Sequence, residues 1–412
     1  MRRPILTSLI LLALCIAFPV SAAQAQREPG PGNQAESDAY TRYELLEPGN
    51  GRFHIVYDVT ASTAGATVFF NPIRKGSVAS DERVLDRATG RPLAFTVMAG
   101  ARAREAGLAD ADPAMDYIRV SLGRPVPADG GGARIRIEKT YTDPVSYRLE
   151  GGDLVFDRPL GIKRNSVVLP AGWTLVACSY PSQVLQEADG RIAISFLNTT
   201  PAQAPLVLRA RRTAGLKLDP SSQARALGER AAQTRDIVYF LQPPETHAFR
   251  LYHDYTEVRA GVGTYVNVVR TGSRARDPEA RNLDTGEALT AEIVRGPAIA
   301  KVGLPAEDVP AITPDTEVVL FRFRPVAAGG STRLRMSETY VDPGSYRLEG
   351  SELVFHRSFG RPANAVILPS GWVLTNSSIP ATVSTTDDGR TRLDFLNPRP
   401  DEIDVLITAR HP

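Results

Sequence analysis

Glu150 and Asp153 flank Gly151-Gly152, and Glu349 and Glu352 repeat the arrangement around Gly350-Ser351. Two carboxyls facing each other across a tight turn are the groups that acid–base cleavage of a glycoside needs. Asp143 and Asp342 lie a few residues upstream. Arg148 and Arg347 fall on the same face, however, and such a set is more simply a solvated charge cluster contributing little to stability. The only tryptophans, Trp173 and Trp372, each sit in L-P-x-G-W-x-L. An indole after such a turn is either a core or rim side chain or a platform on which a sugar ring stacks.

Other chemistries find no support. The five histidines, His54, His247, His253, His356 and His411, show no ligand spacing, so neither a metal nor another cofactor is expected. No G-x-S-x-G elbow occurs, and no serine or cysteine has a recurring histidine as its base. Gly130-Gly131-Gly132 reads as a hairpin tip rather than a phosphate loop, with Gly329-Gly330 in the matching place.

These residues belong to a stretch that occurs twice. Residues 138–212 align with 337–411 without a gap, at 34 identities in 75 positions. The preceding part, 43–100, aligns with 239–296 at 18 identities in 58. Within the first copy, Gly151-Gly152 marks a two-residue hairpin. Pairing across it sets Leu149 opposite Leu154 and Tyr147 opposite Phe156 on one apolar face, with Arg148, Glu150, Asp153 and Val155 on the other. Asp189-Gly190 marks a second hairpin, after which Ile194 and Phe196 alternate with Ala193 and Ser195. That alternation predicts a sheet with one face in the core and one in water. Short β-rich runs between turn residues predict an all-β chain of two tandem homologous β-sandwich-like domains with about ten strands each. The expected units are 40–212 and 236–412, and Ala99–Ala114 reads as a loop or one short helix.

Outside the repeats, Arg2-Arg3, an apolar run over Ile5–Val20 and Ala23-Gln24-Ala25 form a secretory signal peptide pattern over residues 1–25. Lipid anchoring at Cys15 is the rival reading, with Leu14 a poor fit where a small residue is wanted. Cleavage leaves Cys178 as the one cysteine, so no internal disulfide is expected. Residues 26–39 are polar and Pro/Gly-rich and read as a flexible tail. The connection 213–235 reads as a short helical or extended linker, with Asp219-Pro220 as helix start and Ser221–Arg235 rich in helix formers. No further stretch is long and apolar enough for a membrane span.

The chain carries 48 basic and 46 acidic residues. The balance hides a split, since residues 40–212 hold 22 basic and 18 acidic side chains and residues 236–412 hold 19 and 23. Nucleic acid is therefore not an expected partner, because half the protein would repel a phosphate backbone. The opposite charges also predict that the two units touch each other, with a contact that salt would loosen.

The L-P-x-G-W-x-L, S-x-P and F-L-N run resembles the β-rich domains that accompany secreted zinc aminopeptidases of the gluzincin type, over roughly 60 residues of each copy. The H-E-x-x-H of that family's catalytic domain is absent, so the resemblance implies an accessory or binding domain. The expectation is an exported binding or structural module for a protein or glycan partner outside the cytoplasm. The alternative is a carbohydrate-active hydrolase using the paired carboxylates in a cleft between the domains. Binding would gather Tyr147, Arg148, Glu150, Arg158, Asn165 and Trp173, or Tyr346, Arg347, Glu349, Arg357, Asn364 and Trp372, in an open groove. A scaffold would disperse them through core and turns.

Overall fold

The computed structural model describes residues 34–128, 130–213, 227–303 and 311–412. The chain is all-β, 54% strand and 4% helix, built from several separate sheets in a sandwich-like arrangement. Fourteen strands lie between Glu36 and Arg212 and fourteen more between Asp236 and Arg410 among the described residues, more than the ten per repeat that the turn spacing suggested. Several of them are short strands of four or five residues, such as Gln183–Gln186 and Arg164–Val168. No described helix is long and apolar enough to cross a membrane.

The first hairpin has the register that its alternation dictates, with Tyr147 opposite Phe156 and Leu149 opposite Leu154. Two side chains depart from the expected faces. Leu149 is 47% exposed, while Val155 is buried. Val155 lies between Arg148 and Arg209 on the neighbouring strands. Both guanidinium groups bond Glu150, so their aliphatic stems roof the valine.

In the N-terminal segment the seven-stranded sheet runs, in spatial order, Gln183–Gln186, Ile192–Leu197, Arg164–Val168, Glu36–Leu45, Arg52–Ala61, Ala133–Thr142 and Val78–Asp86. A four-stranded sheet (Trp173–Cys178, Ala204–Arg212, Asp153–Leu160, Tyr147–Glu150) packs on it. Val68–Ile73, Asp116–Ser121 and Phe95–Ala99 form a separate three-stranded sheet whose Phe69, Ile118 and Val120 join the same core. The short helix Gly100–Glu105 follows its edge strand. In the C-terminal segment the strands Thr264–Val268, Glu317–Arg322 and Ala288–Arg295 instead continue one ten-stranded sheet. Each segment has its own apolar core, one drawn from residues 43–210 and the other from 237–409.

Two expectations about chain ends change. Residues 36–39 are not a flexible tail, because Glu36–Leu45 is a strand paired antiparallel to Arg52–Ala61 and parallel to Arg164–Val168. A polar sequence is held there because Glu36 and Ser37 pair with Ala61 and Thr60 and Arg164 bonds the Asp38 carbonyl and carboxylate. The signal-peptide pattern, residues 26–33 and the Asp219-Pro220 helix start lie outside the described residues. Of the linker, 227–235 is described and carries no helix. Tertiary bonds override its helix propensity there. Arg230 donates to Gly360 O at 2.9 Å and Asn397 O at 3.3 Å. Glu229 accepts from Tyr40 Oη at 2.9 Å and Ser195 Oγ at 2.8 Å. This crossing explains why Ser195, expected in water, is buried, while Ala193, expected there too, packs with Val168 and Leu185.

The two segments meet through a reciprocal contact. The turn around Arg87–Gly90 lies on the hairpin tip at Gly329–Ser331, where Ser331 Oγ donates to Arg87 O at 2.7 Å. The turn at Leu283 lies on the tip at Gly131–Gly132, where Gly132 N donates to Leu283 O at 2.7 Å. The backbones come so close that a Cβ on Gly90 would sit 2.7 Å from Gly329 O, and one on Gly131 would sit 2.6 Å from Leu283 O. Glycine is therefore required at both places. Beside the contact, Asp284 accepts from Arg134 Nε at 2.6 Å and Nη2 at 2.8 Å, with both side chains buried.

Candidate functional site

The residues singled out from the sequence do not share a groove. Tyr147 and Tyr346 are fully buried, their hydroxyls donating to Leu46 O at 2.5 Å and to Gln242 O. Asn165 and Asn364 are buried and donate to the carbonyls of Ile162 and Arg361. Trp173 is 5% exposed in the core, while Trp372 is half-buried with its ring edge-on to His411. Trp173→Ala is expected to cost about 3–5 kcal/mol in a denaturant titration, as large-to-small core changes do. A loss below about 1 kcal/mol would contradict a packing role.

The carboxylates are engaged on the surface. Glu150 accepts from Arg148 Nε at 2.7 Å and Arg209 Nη2 at 3.0 Å, and Asp153 forms a fork with Arg211 at 2.8 and 2.9 Å. Glu349 bonds Arg347, and Glu352 bonds Arg410. These exposed pairs hold the Glu150 and Asp153 carboxyls below their usual range, which suits them poorly to donate a proton.

Asp143 and Asp342 have a different part. Asp143 accepts from Ser146 N at 2.9 Å, Ser146 Oγ at 2.7 Å, Ser77 Oγ at 3.1 Å and Arg158 Nη1 at 2.7 Å. Burial works against its charge, yet these bonds keep the carboxyl below the usual range. Asp342 repeats the set with Ser345, Ser273 and Arg357. The shared D-P-x-S is thus a turn knotted onto a buried arginine. Arg158 in turn lies over the Phe53 ring at 5.4 Å, and Arg357 over the Phe249 ring at 5.2 Å.

Arg158 also forms part of the floor of a cavity of about 700 Å³ in the N-terminal segment. Strands Glu36–Leu45, Arg52–Ala61 and Ala133–Thr142 supply Thr41, Tyr43, Tyr57, Lys139 and Tyr141. The small sheet supplies Phe70 and Asn71, and the loop after the short helix closes a side with Leu108, Asp110 and Met115. Gln34 pins that sheet by two bonds to Phe70, at 2.6 and 2.9 Å. Exposed Arg74, Pro72 and Gly161 form the mouth.

Lys139 is the unusual member. It is 4% exposed, its Nζ donates to Asn71 Oδ1, and it makes no ion pair among the described residues. The Tyr141 ring lies 5.0 Å from Nζ. Burial, with Arg158 adding repulsion, pulls the ammonium down to about 7. Two further groups at the floor, Thr41 Oγ1 and Arg158 Nε, are buried without a hydrogen bond of good geometry.

Lys139 escaped the search for motifs, yet the strand signals it. Ile135, Ile137, Lys139 and Tyr141 share one face by period-2 alternation, so a lysine must point into the core. The aligned position in the C-terminal segment is Glu338, on the face of Leu334, Met336 and Tyr340. Asn267 Nδ2 lies 2.9 Å from each Glu338 oxygen, and burial pushes that carboxyl up to about 7. His253 replaces Tyr57 and is pulled down to about 3 by burial.

No protein-family profile matches the sequence, and no curated protein matches it. Solved structures give a weak likeness. A Deinococcus radiodurans M1 zinc metallopeptidase aligns at 15% identity with a TM-score of 0.29, over 45% of this chain and 50% of that one. An Idiomarina loihiensis aminopeptidase N family protein aligns at 10% identity and 0.26, over 42% and 29%. A putative protease from Parabacteroides distasonis aligns at 10% and 0.25, over 93% and 94%. The chain thus spans half or less of the first two, and likenesses this low carry no functional argument.

Proposed function

We propose that the chain is an exported, non-catalytic β-module whose N-terminal segment binds a ligand in the cavity between its sheets. The observation that carries this is a 700 Å³ space with a buried amine, a buried hydroxyl and a buried guanidinium nitrogen at its floor. Ligand sites have this size and this mixture of flat apolar walls with a few convergent polar groups. The C-terminal segment is read as a homologous second domain that buttresses the first, supported by the 34 shared residues and by the matching four-stranded sheets. Residues 1–25 are read as the export signal. The hydrolase reading loses its support because its carboxylates are spent on Arg148 and on Arg209 and Arg211 of the neighbouring strand.

The test is native mass spectrometry of the protein recovered from outside the cytoplasm of the exporting cell. A small molecule is expected on the wild type and not on Asp110→Trp, a bulky change at an exposed wall position. Recovery of both forms without any added mass, even after incubation with the cell's soluble metabolites, would remove the binding reading.

A further inference from the structure

We propose that the cavity takes a small aromatic carboxylate, its anionic group seated on Lys139 and its ring lying between tyrosine side chains. This rests on the cavity being a binding site, and names what it binds.

The charge inventory points one way. Facing Lys139 are Arg158 from the strand Asp153–Leu160 and Arg74 from the mouth, whose Nη1 reaches Pro159 O at 3.1 Å. No acid faces the amine directly. Asp143 is bound to Arg158, and Glu36 stands at the rim, accepting from Tyr57 Oη at 3.1 Å. Asp110 is exposed on the wall, and Glu82 acts on the amine only from a distance. The remaining titratable groups, Tyr43, Tyr57, Tyr117 and Tyr141, are phenols, and burial pushes Tyr43, Tyr57 and Tyr141 up, so they stay neutral.

A buried ammonium without a carboxylate is costly, and the protein relieves the cost by letting the amine lose its proton. A ligand carboxylate would supply the missing counter-charge, restore the proton and accept from the buried Thr41 hydroxyl and Arg158 Nε. A single anionic group matches the single unpaired amine. The five flat side chains Phe70, Tyr43, Tyr57, Tyr117 and Tyr141 ask for a planar apolar body rather than a bare ion. The C-terminal segment cannot do the same, since Glu338 stands where the amine would be and would repel an anion.

The test is titration calorimetry with 4-hydroxyphenylacetate, its amide and inorganic phosphate as probes. The acid is expected to bind, with proton uptake near neutral pH, and its affinity to fall about tenfold per pH unit above about pH 7, as the amine loses its proton. The amide and phosphate are expected to bind at least about tenfold more weakly, for want of a charge or of a ring. Lys139→Met keeps the side-chain volume and should abolish binding of the acid, while Glu338→Gln should leave it unchanged. Failure of the acid to bind, or binding that ignores pH and Lys139→Met, overturns the assignment. Equal binding of acid and amide also overturns it, yet leaves the cavity a binding site, so the two readings fail separately.

Discussion

Lys139→Met is expected to be more stable than the wild-type protein at neutral pH, and to lose that advantage as the pH rises. The folded amine has its pKa depressed to about 7 while the unfolded one keeps the ordinary 10.5. Between those values the unfolded chain binds a proton that the folded chain does not, so wild-type stability rises with pH across the interval. Below about 7 the full penalty is present, on the order of 5 kcal/mol for a shift of this size. Water reaching the amine through the mouth would reduce it. From about 7 up to about 10 the interval is free of other resolved titrations. Asp236 and Glu338 are pushed up only to about 6 and about 7, and His253 is pulled down to about 3, so all three act at lower pH. The buried tyrosines act above their ordinary range. Urea midpoints for both proteins across the interval decide the matter: the gap should close with rising pH. A constant gap, or a wild type whose stability is flat above neutrality, would show that the amine is not desolvated.

The second large effect is expected between the segments. Asp284→Ala should cost about 3–5 kcal/mol, because it strands a buried guanidinium. Arg134 is 2% exposed, its Nη1 already has no partner, and Asp284 also accepts from Arg333 N at 2.9 Å. The double variant Arg134→Met, Asp284→Leu should recover most of the loss, since an apolar pair of similar bulk needs no counter-charge. Chemical denaturation reads the cost, and scattering reads whether the segments part. A loss under about 1 kcal/mol would mean that water reaches the pair. The geometry also corrects the expectation of a salt-loosened contact. A buried fork and backbone bonds are screened little, so the particle should keep its dimensions in high salt.

The elements that were legible in the sequence share a cause. The hairpin at Gly151-Gly152 and its register follow from local alternation and turn chemistry. What was not legible depends on partners far along the chain. Glu36–Ala39 looks like tail because its stabilisation comes from the Arg52–Ala61 strand and the distant Arg164 side chain. Val155 and Ser195 look like solvent positions because their covers, the Arg148 and Arg209 stems and residue Glu229, come from elsewhere. The candidate site was missed for a related reason. Chemistry was sought in motifs, whereas Lys139 is conspicuous only by disagreeing with the face on which its strand places it.

The reciprocal contact of turn and hairpin tip has a consequence for assembly. Each segment offers a tip and a turn, and each of these is occupied by its counterpart on the other. An arrangement in which a surface meets its own equivalent about a twofold axis is closed, unlike a head-to-tail one that leaves a free end at every addition. Folding both segments into one polypeptide uses up all four elements. No sticky half remains through which further copies could polymerise along this face, and the close-packed glycines bar a looser, offset register.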